Sequence, residues 1–412
     1  MKKILIVFLF SFCSQNVFSL SQPDTSLIKK HVQYLADDAL EGRGLGTYGF
    51  WKAASYIAEE FSKSQLQTSF QNFFIPVSFK SGSHAIIKIP TANVVGMLPA
   101  NNKDLEKNYT VLGAHFDHLG FGDAGSLDPD GTVHNGADDN ASGVAVLIEA
   151  ARLWSQASEP HGNIIFVAFA GEEMGLLGSS YFVNHPPFDL SQTFAMFNFD
   201  MVGRLREKTL TVFGSGTALE WNTILSGASN DNGLFLTKHL SGIAPSDSTS
   251  FYLQDIPVLF LNTGSHEDYH KPSDDLDKIN FDGMSYIVHF FNDILASVTS
   301  RHEKLSFQKT KDPKDPGRGS MPYFGSIPDY SYEGKGLRLS GVQADSPASK
   351  AGLQSKDIIV QFGTFIIEDI YNYTDALRAY KAGDEVLILY MRDNQQHETK
   401  AILEAHPSLS NN

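Results

Sequence analysis

The stretch GADDNASG, residues 136–143, sets Asp138 and Asp139 side by side among small residues, and the apolar run VAVLIEAARLW follows at once. Adjacent carboxylates repel unless something positive lies close to both. A helix N-terminus supplies part of that, because its free N–H groups and dipole favour Asp and Asn. A cation supplies more. Four other stretches offer ligands of the same kind: His115 and Asp117 in GAHFDH, Glu172 and Glu173 in AGEE, Asp200 in FNFDMVG, and His270 in HEDYH. His115, Asp138, Glu173, Asp200 and His270 are enough for two cations that share one carboxylate. Mixed His and carboxylate ligation suits Zn²⁺, with Mn²⁺ or Co²⁺ as substitutes. Two such ions about 3.5–4 Å apart polarise a carbonyl and acidify a bridging water, which is hydrolytic chemistry.

These residues need a common rim. Four short apolar runs, YTVLGAHFD, NIIFVAFAGEE, TFAMFNFDMVG and IPVLFLNTG, each have the length of a buried strand; the first three carry candidate groups at their ends, and HEDYH follows just after the fourth. Helical patterns separate or follow them, as in VAVLIEAARLW and MSYIVHFFNDIL, so the spacing predicts an α/β domain with a mainly parallel central sheet flanked by helices. Ligands of such sheets bind beyond the carboxyl ends of the strands. Upstream, Phe50, Ala54, Ile57, Ala58 and Phe61 recur at helical spacing and predict an amphipathic helix, after a glycine-rich loop LADDALEGRGLGT.

The chain has 412 residues, 42% hydrophobic and 19% charged, which predicts more than one folded domain. Residues 1–19 read as a cleavable secretory signal: Lys2 and Lys3, an apolar stretch from Ile4 to Phe12 too short to span a bilayer, then Val17-Phe18-Ser19. Cys13 is the only cysteine, so the mature chain folds without disulfides. No transmembrane segment is expected after cleavage, and the location implied is periplasmic or extracellular, in a bacterium. A formal charge of −15 argues against nucleic acid or an anionic membrane as partner. Residues 20–305 are expected to form the catalytic domain. Residues 306–320, with KTKDPKDPGRGSMP, form a linker, and 321–407 a small β-rich domain.

The ordered series GAHFDH, GADDNASG, AGEE, FDMVG and YHKPSDD resembles the co-catalytic dizinc aminopeptidases of metallopeptidase family M28, over roughly residues 27–300. That resemblance implies two Zn²⁺ per chain, one held by His115 and Asp200, the other by Glu173 and His270, with Asp138 between them. It implies Glu172 as general base, taking a proton from water and returning it to the leaving amine. It places Asp139 outside the ligand set, with a cis peptide between Asp138 and Asp139 and a helix-cap role for Asn140. Asp117 is expected to fix the His115 tautomer, and the Tyr269 hydroxyl to stabilise the oxyanion. His118 and His134 read as bystanders, and the loop LGFGDAGSLDPDGTV as a rim of the substrate pocket. The substrates implied are peptides with a free N-terminus.

From about 320 to 405, GKGLRLSGV, SPASKAGL and DIIVQFG are similar to PDZ domains of the bacterial periplasmic-protease type. The resemblance implies a carboxylate-binding turn at Gly336, Leu337, Arg338 and Leu339, able to capture peptide C-termini. Two alternatives remain open from sequence: a carboxypeptidase or glutaminyl cyclase on the same fold, and a non-catalytic protein whose PDZ domain is the working part.

Overall fold

The four apolar runs become four neighbouring parallel strands at the centre of an eight-stranded sheet. In this computed structural model the described residues are 20–404, except 82, 123–124, 129–130, 311–321, 329–331, 333, 343–345, 369–371, 374–375 and 378, and except the side chains of 76–87, 231 and 340. The secretory signal with Cys13, most of the expected linker and part of the rim loop therefore lie outside the described residues.

The strands are β1 (Gln67–Ser81), β2 (Ser83–Leu98), β3 (Tyr109–His115), β4 (Asn163–Phe169), β5 (Thr193–Phe199), β6 (Thr209–Phe213), β7 (Phe235–Lys238) and β8 (Val258–Asn262), in the order β1-β2-β4-β3-β5-β8-β6-β7. β4, β3, β5 and β8 run parallel, while β2 and β6 join them antiparallel. Register levels the carboxyl ends: His115 stands opposite Phe169, and Phe199 opposite Leu261. Each candidate group at a strand end is thereby delivered to one rim. The long β1–β2 hairpin was not legible from periodicity. Its prolines, Pro76 and Pro90, sit where the hairpin has run past the β2–β4 pairing at 94–98, so no ladder bond to β4 is lost.

Helices α1 (Thr25–Leu35), α2 (Tyr48–Lys63), α3 (Gly143–Trp154), α4 (Leu177–Asn184), α5 (Trp221–Asn232), α6 (Ser248–Tyr252) and α7 (Phe281–Thr299) cover the sheet. α2 starts where Thr47 accepts the Phe50 N–H, and Phe50, Ala54, Ile57, Ala58 and Phe61 are buried as their spacing predicts. α3 is buried along its length except at Arg152, which pairs with Glu149, so it is an interior helix whose N-terminus opens at the rim. Among the described residues no helix is long and apolar enough to cross a membrane.

A second core, built on Leu337, Leu339, Ile359, Phe362, Ile388 and Tyr390, belongs to the C-terminal sheet. Its strands are β9 (Ser326–Pro328), β10 (Leu337–Val342), β11 (Ile358–Phe362), β12 (Phe365–Ile366), β13 (Glu385–Arg392) and β14 (Gln395–Ile402). Tyr323 and Glu404 bridge and close this domain. The expected boundary at 306 shifts: Ser306 bonds Glu220, Gln308 donates to Thr217 O, and Thr310 N donates to the Tyr252 hydroxyl. Residues 306–310 are thus fastened to the first domain.

Candidate metal centre

His115 ends β3, Asp200 follows β5, Glu172 and Glu173 follow β4, Asp139 precedes α3, and His270 lies in the loop after β8. Their ligand atoms converge. His115 Nε2 lies 3.3 Å from Asp139 Oδ1 and 3.3 Å from Asp200 Oδ1. His270 Nε2 lies 3.2 Å from Asp139 Oδ2 and 3.3 Å from Glu173 Oε2. His115, Asp139 and Glu173 each offer one ligand atom within 4.8 Å of the others. Donor atoms around a tetrahedral zinc with bonds of about 2.0–2.1 Å stand roughly 3.3–3.4 Å apart, so these four separations fit a pair of cations on either side of one carboxylate.

That central carboxylate is Asp139, not Asp138, which corrects the sequence expectation. Asp138 turns away: Oδ1 accepts the Gly203 N–H at 2.6 Å and the Ser142 hydroxyl at 3.0 Å, and Oδ2 lies 3.0 Å from His266 Nε2. The cis peptide falls one residue later than expected, between Asp139 and Asn140. Asn140 takes the capping part, its Oδ1 accepting the N–H groups of Gly143 and Met201. Asp274 Oδ2 receives the N–H groups of both Asp138 and Asp139, while its Oδ1 takes Arg204 Nη2 at 2.8 Å. The two adjacent aspartates therefore look in opposite directions from a loop that one buried carboxylate holds.

Electrostatics reinforce the reading. Burial works against charge on His115 and His270, yet Asp200, Glu173 and Asp139 hold both imidazoles well above the ordinary histidine range. Burial also opposes charge on Asp139, but His118, His115 and His270 hold it well below the carboxylate range. Glu173 is likewise held at about 2, against burial, chiefly by His270. Carboxylates and imidazoles of the cluster thus stabilise one another's charged forms. Glu172 behaves oppositely: seclusion in the pocket, with Glu173 and Asp200 nearby, pushes its carboxyl well above the usual range despite His115. Burial lifts Asp117 to about 6 and Asp247 to about 7.

Other expected roles fall differently. His115 Nδ1 lies 3.1 Å from the Asp117 backbone carbonyl, whereas the Asp117 carboxylate is 3.9 Å away and accepts the Glu172 N–H at 3.3 Å. Main chain, not side chain, orients that ring. Tyr269 lines the pocket and stacks on His270 with centroids 3.8 Å apart. His118 is no bystander, since its Nδ1 lies 2.7 Å from Glu173 Oε1. Gly336 to Leu339 do not form an open turn. Leu337 and Arg338 pair with β11, Gly336 N donates to Glu368 O, and Leu339 N donates to Asp357 O. An added peptide strand would need the sheet edges at β9 or β14.

Sequence reading missed Arg43, Ser246 and Asp274. Ser246 donates to Asp200 Oδ2 at 2.6 Å and receives Asn198 Nδ2. Arg43 is fully buried and donates to four carbonyls, those of Leu35, Phe116, Asn135 and Gly136, at 2.5–2.9 Å. A lone cation amid a glycine-rich loop was the available signal.

A mixed sheet that gathers carboxylates and imidazoles at its carboxyl ends is an α/β domain with a candidate cation site, and comparison with known proteins gives the families of the chain's two parts. Residues 93–293 match Peptidase family M28 and residues 295–403 match the PDZ domain family. The chain thus combines an M28 peptidase domain with a C-terminal PDZ domain. A "Probable zinc metalloprotease" of Pyrenophora teres f. teres is 30% identical over 196 residues, 44% of this chain and 38% of that protein. The chain spans less than half the length of that relative. Among solved structures, an aminopeptidase from Aneurinibacillus sp. strain AM-1 superposes with a TM-score of 0.57 at 18% identity, covering 70% of this chain and 97% of that one. A glutaminyl cyclase of Porphyromonas gingivalis gives 0.56 at 18%, covering 67% and 99%. These likenesses establish the fold.

Proposed function

We propose that this protein is an exported zinc aminopeptidase that removes the N-terminal residue from peptides with a free amine. One observation carries the reading: His115, Asp139, Glu173, Asp200 and His270 converge at separations that fit two cations, and Glu172 lines the same pocket. Zn²⁺ held by His115 and Asp200 on one side, by Glu173 and His270 on the other, and shared through Asp139, would polarise the scissile carbonyl and acidify water. Glu172 serves as the proton carrier: its raised affinity for a proton suits a group that accepts one from water and returns it to the leaving amine. Asp200 and Glu172 give the substrate ammonium an acidic end of the pocket. Met201, Phe213, Pro245 and Phe260 wall it with apolar surface, which selects a medium-sized apolar N-terminal side chain. The Tyr269 hydroxyl is the candidate partner for the developing oxyanion.

The test uses the mature protein and paired peptides with free or acetylated amines, before and after chelation and zinc return. Release of the first residue from free-amine peptides only, lost on chelation and restored by zinc, is the expected result. Ring closure of N-terminal Gln without hydrolysis of Leu peptides would move the protein to the cyclase activity named for a structural neighbour. Glu172→Gln is expected to keep its metal while kcat falls by about 10²–10⁴-fold. Export on the signal at 1–19 is checked by N-terminal sequencing of the protein recovered outside the cytoplasm. Peptide capture by the C-terminal domain is checked by titrating free-carboxylate against amidated peptides.

A further inference from the structure

We propose that His118 is a positioning residue that confines Glu173 to a single ligating oxygen. The two oxygens of Glu173 face different partners. Oε1 lies 2.7 Å from His118 Nδ1, and Oε2 lies 3.3 Å from His270 Nε2. The first is a hydrogen-bond length, too short for two donors around one zinc, which stand roughly 3.3–3.4 Å apart. The second matches that spacing. An ionised carboxylate only accepts, so Nδ1 carries the hydrogen and Oε1 is occupied by it. Glu173 is left with Oε2 for the cation it would share with His270 and Asp139.

The imidazole is built into place. Its side chain has no exposed surface, and its backbone N–H donates to Arg43 O. The ring lies over Gly136, where an added Cβ would come within 2.5–2.6 Å of two ring carbons, and it meets His270 edge-on at 5.9 Å. Gly136 is the glycine that opens GADDNASG, so the motif supplies both the central carboxylate and the clearance for the ring that braces its neighbour.

The inference rests on the two-cation reading above. Its test is zinc titration of the full mature protein against a chromophoric chelator, with the cobalt absorption spectrum as a second readout and thermal melting to confirm folding. His118→Phe keeps a ring over Gly136 and deletes the donor. His118→Asn restores an N–H close to the Nδ1 position. Wild type is expected to bind two ions. His118→Phe should lose about 10–100-fold in affinity for one of them, with altered cobalt bands, and His118→Asn should return to within about threefold. Equal affinities and an unchanged spectrum in His118→Phe would overturn the positioning role while leaving the two-cation reading intact. A His118→Asn variant as defective as His118→Phe would overturn it too, because restoring the donor would then not restore the site. Failure of wild type to bind a second ion would sink the parent reading instead.

Discussion

Replacing Arg43 by Met should unfasten the rim before any ligand is touched. Its guanidinium joins three segments: Leu35 at the end of α1, Phe116 just past β3, and Asn135 and Gly136 ahead of the Asp139 loop. Burial draws its pKa down to about 10, with Asp139, Asp117, Asp274 and Glu173 opposing that fall, so it remains a cation at neutral pH. Hydrogen bonds to charged groups contribute about 1.5–3 kcal/mol each. Four would sum to more than the desolvation of a buried cation allows. A net loss of about 4 kcal/mol is the reasoned figure, a large part of a typical stability of about 5–15 kcal/mol. At about 2–4 °C per kcal/mol for a domain of this size, the melting temperature should fall by roughly 10 °C. Arg43→Lys should recover less than half, because one ammonium does not span four carbonyls. Urea and thermal unfolding of the zinc-free protein supply the numbers. A melting point of Arg43→Met within about 3 °C of wild type would refute the clamp.

Three other outcomes follow from the geometry. Asp139→Asn should abolish tight zinc binding and turnover, whereas Asp138→Asn should weaken zinc by roughly tenfold, as for groups that orient ligands; calorimetric titration of the two variants decides which aspartate is central. Gly136→Ala should cost several kcal/mol or fail to fold, because an added Cβ would lie 2.0 Å from Asp139 O at a φ of +54°; chemical denaturation reads this. Burial draws the His31 imidazole down to about 4, with Glu60 opposing, while in the unfolded chain it titrates near 6.5. The unfolded state then binds the extra proton, so stability falls as pH drops from about 6.5 toward 4, by up to roughly 3 kcal/mol. His31→Phe should flatten that slope relative to wild type in urea titrations across the interval.

How far the sequence carries can be argued from single residues. The parallel strands were legible because each is an unbroken apolar run of strand length, and their order along the chain put His115, Glu173 and Asp200 at strand ends without any knowledge of packing. Periodicity is silent where a residue's meaning depends on a remote partner. Arg43 reads as a surface loop cation until three carbonyl-bearing segments close over it. Ser246 reads as a turn residue until Asp200 arrives 46 positions earlier in the chain. The PDZ stretch Gly336–Leu339 resembled an open turn because nothing local announces that β9 and β11 pair on both of its sides.

The adjacent aspartates mark that limit most sharply. Asp138 and Asp139 have the same chemistry and the same neighbours, so composition and spacing assign the shared-ligand role to either. What separates them is the backbone path, fixed by Asp274 receiving both N–H groups and by Asn140 binding Gly143, Met201 and Phe199 O. With the loop so held, successive side chains diverge: one reaches His115 and His270, the other reaches His266 and Gly203. The two carboxylates thus engage separate partners. Each is answered by a separate histidine set, and only the inner set has the 3.2–3.3 Å spacing on both sides that two cations require.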